Sequence, residues 1–140
     1  MRDSFAVTFT ASESEARDSV RAVARRLRRA GIAPDRAGEV ELAIAEAVNN
    51  VVEHAYAGRA PGPVGLCCNL HGRRLAVRIC DLGLPLPDGR LPQAPAADLS
   101  GPRGDLPEGG FGWFLIRAFA SHIRYDRCRG CNSLALRFDL

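Results

Sequence analysis

No stretch of this 140-residue chain is apolar enough to span a bilayer. The N-terminus Met1-Arg2-Asp3-Ser4 carries an acid and no hydrophobic run of signal-peptide kind, so the sequence predicts a protein that stays in the cytoplasm and off the membrane. A disulfide framework is also lacking, because the five cysteines (Cys67, Cys68, Cys80, Cys128, Cys131) are odd in number. Cys128 and Cys131 have C-x-x-C spacing, but two further ligands at comparable spacing are absent and Arg129-Gly130 between them reads as a hairpin turn. Charge of one sign is scarce: the formal net charge of +3 is too small to imply direct nucleic-acid binding. There is no internal repeat, no Walker A sequence and no G-x-G-x-x-G following a strand.

What is present fits one ordinary globular domain over residues 1–140, with 46% apolar and 25% charged residues. Phe5, Val7 and Phe9 alternate with polar residues and predict a first strand. Ser12 and Glu15 form a capping-box pattern before a helix with Ala16, Val20, Val23 and Leu27 on one stripe, which Gly31 stops. Its arginine-rich opposite face reads first as a solvated surface. Pro34 and Asp35 open a second helix, expected to run to about Tyr56 before the breaker run Ala57–Pro63. Two strand patterns follow, Val64 to Leu70 and Leu75 to Cys80, turning at His71-Gly72-Arg73. Proline at 85, 87, 92, 95, 102 and 107 marks a long excursion, and such loops are functional lids or disordered segments. An apolar helix from Trp113 to Ala120 and strands Ile123–Arg127 and Ser133–Leu140 complete the chain. The order predicts an α+β two-layer sandwich, its helices covering one face of a mixed, largely antiparallel sheet.

Three features carry chemistry. On the second helix Val40, Ile44, Ala47, Val48, Val51, Val52 and Ala55 cover one arc, expected to pack on the sheet. Glu39, Glu46, Asn49, Asn50, Glu53 and His54 crowd the other. A wet amphipathic face explains such an arc, yet adjacent asparagines are poor helix formers and small Ala43 leaves room beside Asn50 for a ligand. Glu46 and Asn50 stand one turn apart. An amide oxygen suits Mg²⁺, and a carboxylate accepts a proton from an attacking hydroxyl or water. Asp81-Leu82-Gly83 ends a strand, where a carboxylate can accept from an exocyclic amine such as adenine N6 while glycine admits the flat base; a plain strand-exit turn reads the same way. Gly109-Gly110-Phe111-Gly112 opens a helix whose free N–H groups suit an anion, although glycines also simply punctuate loops.

The order Glu46-x-x-x-Asn50-x-x-x-His54-Ala55-Tyr56, Asp81-x-Gly83, lid, Gly109-Gly110-x-Gly112 resembles the histidine-kinase-like ATPase superfamily (GHKL, the Bergerat ATP-binding fold). Within it, the chain is similar to the compact anti-sigma-factor serine/threonine kinases of bacteria. The resemblance covers the whole chain, and Gly130-Cys131-Asn132-Ser133-Leu134 looks like that group's last nucleotide-proximal turn. It implies Glu46 as general base, Asn50 as the Mg²⁺ and nucleotide ligand, Asp81 and Gly83 at adenine, and Gly109, Gly110, Phe111 and Gly112 around phosphate. The lid falls at about 84–108. His54 matches a common position, with packing of the helix end as its other reading. Pro85 stands where the broader superfamily has a second glycine, and Trp113 is bulkier than the usual aliphatic residue.

Nothing resembles a phospho-accepting histidine helix. The implied activity is ATP- and Mg²⁺-dependent serine/threonine phosphorylation of an anti-sigma-factor antagonist, with a sigma factor as sequestered client and a homodimer as the working unit. The alternative is an inactive ATP/ADP-binding regulatory module that switches partner binding through lid ordering. An interaction domain with an empty pocket would make all three motifs coincidence.

Overall fold

The computed structural model describes residues 2–92 and 110–140, with the side chains of 110 and 111 also outside the description. Most of the expected lid, and Gly109, therefore lie outside the described residues. The elements are β1 (Arg2–Thr10), α1 (Glu13–Arg29), α2 (Pro34–Asn50), β2 (Pro63–His71), β3 (Arg74–Asp81), α3 (Gly110–Phe119), β4 (His122–Cys128) and β5 (Cys131–Asp139). The five strands form one sheet in the order β1-β2-β3-β5-β4. Every described pairing is antiparallel, so the sheet is an antiparallel one rather than mixed.

Alternation decides which face is covered. Val64, Leu66, Cys68 and Leu70 of β2, Leu75, Val77 and Ile79 of β3, and Leu134, Leu136 and Phe138 of β5 are buried, while their neighbours along each strand are more open. The buried side meets Val20, Val23 and Leu27 of α1, Val40, Ile44 and Val48 of α2, and Ile116 of α3 in one cluster. Each fully buried side chain of this size contributes about 1.5–3 kcal/mol relative to exposure.

Local chemistry sets the helix ends. Ser12 Oγ accepts the Glu15 amide at 3.3 Å, while the Glu15 carboxylate meets the Ser12 hydroxyl, also at 3.3 Å, so the reciprocal half of the box is made through the side chain. Gly31, at φ +87°, takes the left-handed conformation that lets the chain leave α1. Arg36 ties α2 to the far ends of two other elements, donating to the carbonyls of Asp139 (2.7 Å) and Phe119 (3.1 Å). Among the described residues, no helix is long and apolar enough to cross a membrane.

The second helix differs from expectation at its end. Regular α geometry stops at Asn50, and Val51–Ala55 form a π-helical turn. The reason lies outside the helix. The Ala55 carbonyl accepts the Leu84 amide at 2.7 Å, and the Tyr56 hydroxyl donates to Pro63 O (2.6 Å) and accepts the Leu82 amide (2.9 Å). The helix end is fastened to the turn after β3, and a widened turn accommodates that attachment.

Candidate functional site

A cavity of about 530 Å³ opens between the end of α2, the exit of β3 and the hairpin of β4 and β5. That size suits a small-molecule ligand. Its walls are largely apolar (Ala47, Val51, Ile79, Leu86, Trp113, Tyr125, Leu134), and the polar side chains of Asn50, His54, Asp81 and Asn132 also line it.

Asp81 is 6% exposed. Its Oδ1 accepts the Gly83 amide at 2.9 Å and the Asn132 side-chain amide at 2.8 Å. Both bonds use the same oxygen, and among the described residues no donor reaches Oδ2. Gly83 is required by close approach rather than by backbone angle: a Cβ there would stand 2.1 Å from the Ala55 carbonyl oxygen.

The carboxamide of Asn50 makes no hydrogen bond among the described residues, and its Nδ2 is buried without a partner. An orphaned buried polar group costs about 1–3 kcal/mol, which a ligand in the cavity relieves. The carboxamide oxygen of Asn50 is a hard donor of the kind that Mg²⁺ takes, and among the described residues no cluster of three or more His, Cys, Asp or Glu could hold a metal ion. Glu46 is half-buried one turn earlier, but it is not part of the cavity wall. It leans instead on the start of α3, where a Cβ at Gly112 would lie 2.7 Å from Glu46 Oε2. Glycine at 112 thus admits the carboxylate to the start of α3. Gly110 is the first residue of α3.

The expected polar arc of α2 divides. Asn49 and Glu53 border a separate cleft with Arg17 and Arg21 of α1, and Glu39 lies 3.8 Å from Arg36. Ala43 does not make room beside a ligand; it is fully buried in the core. Val51 and Val52, expected under the sheet, are half-buried, and Val51 faces the cavity. His54 packs no helix end: it is exposed at the cavity, 3.6 Å from Glu53. Trp113 and Pro85, the two departures, both line the cavity, and Trp113 also enters the core.

Sequence reasoning gave no role to Tyr125 or Arg127, and set Asn132 only within a turn near the nucleotide by resemblance, without a partner for its side chain. Asn132 is 4% exposed, directly opposite Asp81 in the register. The available signal was an asparagine on the inward stripe that continues as Leu134, Leu136 and Phe138.

Residues 9–138 match the family model described as Histidine kinase-like ATPase domain. Proteins named serine-protein kinase RsbW from Bacillus thuringiensis and Bacillus anthracis are 30% identical over 111 residues, 79% of this chain and 69% of theirs. In structure, the chain resembles the RsbU and RsbW domains of a Mycobacterium tuberculosis protein with a TM-score of 0.69 at 20% identity. That likeness covers 99% of this chain and 32% of the other, and concerns the fold. A histidine kinase domain from Erythrobacter litoralis gives a TM-score of 0.54 at 16% identity, over 89% of this chain and 61% of that one. The chain belongs to the histidine kinase-like ATPase domain family.

Proposed function

We propose that this protein binds ATP in the cavity between Asn50 and Asp81 and passes the γ-phosphoryl group to a serine or threonine of a partner protein. The observation that carries this reading is the convergence on one apolar cavity of buried Asp81 and of Asn50, whose Nδ2 is buried without a partner. Asp81 accepts from the exocyclic amine of adenine, and the apolar walls around Ile79 and Leu134 take the faces of the ring. Asn50 Oδ1 is the atom that would hold Mg²⁺, which when bound supplies positive charge to the phosphate oxygens. Glu46 takes the proton of the attacking hydroxyl. The family and the likeness to serine-protein kinases support this activity. The partner we assign, from the resemblance of the motif order, is an anti-sigma-factor antagonist, with a sigma factor as client and a cytoplasmic homodimer as the working unit.

A second reading has one observation in its favour. Glu46 does not line the cavity, which suits a module that binds nucleotide and switches a partner without transfer. Incubation with Mg·ATP and candidate antagonists, beside Glu46→Gln, separates the two. Transfer by the parent and its loss in the variant is expected; tight ATP binding with no transfer to any partner selects the switch.

A further inference from the structure

We propose that Tyr125, Arg127 and Asn132 are positioning residues through which the β4–β5 hairpin orients Asp81 and fastens the root of the lid, Gly83–Leu86, for nucleotide selection. The inference rests on the nucleotide reading of the cavity. It starts from Asn132, a buried carboxamide whose amide hydrogens go to Asp81 and the segment after it, and whose oxygen is held by the hairpin. Its Nδ2 donates to Asp81 Oδ1 (2.8 Å), Leu84 O (2.9 Å) and Gly83 O (3.2 Å). Its Oδ1 accepts from Arg127 Nη1 (2.7 Å) and the Tyr125 hydroxyl (2.8 Å). Two external donors on that oxygen leave the amide one orientation, with its hydrogens toward Asp81 and the lid root.

The neighbours extend the network along the chain. Arg127 Nη1 also donates to Gly83 O at 3.0 Å, and the Leu86 amide donates to the Tyr125 hydroxyl at 3.0 Å. Because the Tyr125 proton goes to Asn132, its lone pair is what receives Leu86. The result is one polarised chain, from Leu86 N–H through Tyr125 and Asn132 to Asp81, in which each bond strengthens the next. Two consequences follow. Asp81 Oδ1 is held by Asn132 and by Gly83, so Oδ2 is presented to the cavity in a fixed direction. The segment whose Leu84, Pro85 and Leu86 side chains form a cavity wall is pinned through three of its backbone groups. A carboxylate held this way favours a purine with an exocyclic amine over one with a carbonyl there; a carboxylate free to rotate does so less.

Tyr125→Phe keeps the ring on the cavity wall and removes the hydroxyl. Hydrogen exchange of the Leu86 amide is expected to quicken about tenfold, because the hydroxyl's bonds to the Leu86 N–H and to Asn132 Oδ1 are both lost. Asn132→Ala is expected to reduce the preference for ATP over inosine triphosphate by about tenfold, on the scale of a buried charge-assisted bond. Unchanged Leu86 exchange in Tyr125→Phe, or an unchanged nucleotide preference in a folded Asn132→Ala, overturns the proposal. If the parent protein binds neither nucleotide, the ATP reading fails and the specificity role with it, whereas Leu86 exchange still reports whether the hairpin holds the lid root.

Discussion

Replacing Gly112 by alanine separates chemistry from binding. An added Cβ would lie 2.7 Å from Glu46 Oε2, whereas ordinary contact begins at 3.4 Å. The carboxylate must therefore retreat by about 0.7 Å, the difference between those distances. It is the far end of a flexible side chain, and the retreat costs little. Alanine within α3 is favoured over glycine by about 0.5–1 kcal/mol, so stability should hold or rise slightly. Asp81 and the end of the cavity proposed for adenine lie on other elements, and the substitution is expected to leave them in place. Catalysis is less forgiving: misplacing a catalytic group by about 1 Å costs on the order of a hundredfold. The expected result is transfer slowed roughly 10- to 100-fold, with ATP affinity within about threefold of the parent. Single-turnover transfer from labelled ATP, beside calorimetric binding, measures both. A Gly112→Ala protein that transfers phosphate at the parent rate would refute the role given to the Glu46–Gly112 contact.

The same substitution at Gly83 should behave in the opposite way, because its Cβ would meet the Ala55 backbone oxygen at 2.1 Å, where nothing flexible can yield. Overpacking and the loss of the Leu84–Ala55 hydrogen bond together should cost about 2–4 kcal/mol, lowering the unfolding midpoint by roughly 10 °C and abolishing ATP binding. A midpoint within about 2 °C of the parent would contradict the close approach. A third expectation concerns pH. Burial first, and Cys67 beside it second, push the Cys68 thiol from 9.0 up to about 12, against a smaller opposing effect of Arg26. Between those values the unfolded thiol gives up its proton and the folded one keeps it. Stability should thus fall as pH rises, by about 1.4 kcal/mol per pH unit for this one proton. Urea unfolding of Cys68→Ala from pH 9 to 11 should show a slope shallower by that amount; equal slopes would mean that Cys68 ionises while folded.

The sheet and most helix limits were legible because they are written in local periodicity and punctuation. Alternation in Val64–Leu70 and Ser133–Leu140 showed the buried face, and Ser12, Gly31 and Pro34 act through their own backbone. What escaped was tertiary. The end of α2 depends on a hydrogen bond from Leu84, which no property of Val51–Ala55 encodes. Ala43 was set beside Asn50 by angle on a wheel, but the core lies over it. Asn132 acquires its role only when β5 lies beside β3 and places it across from Asp81. A hydrophobic stripe interrupted by one buried asparagine is the trace this leaves in the sequence. The wholly antiparallel sheet likewise depends on which strands become neighbours, a long-range matter.

The central claim is that Asp81 reads adenine, and Asp81→Asn tests it with little change of shape. The two donors that face Oδ1, the Gly83 amide and Asn132 Nδ2, still require an oxygen there. The new NH₂ group is therefore turned to the cavity, donor against the donor of adenine. Stability should change by less than about 1 kcal/mol, because both internal bonds remain. ATP affinity should fall by about 100-fold or more, the penalty for leaving buried polar groups opposed. Calorimetric titration with Mg·ATP of the parent and Asp81→Asn measures this directly. Loss of binding in a variant that unfolds like the parent is the expected result, and equal affinity in the two proteins would contradict it.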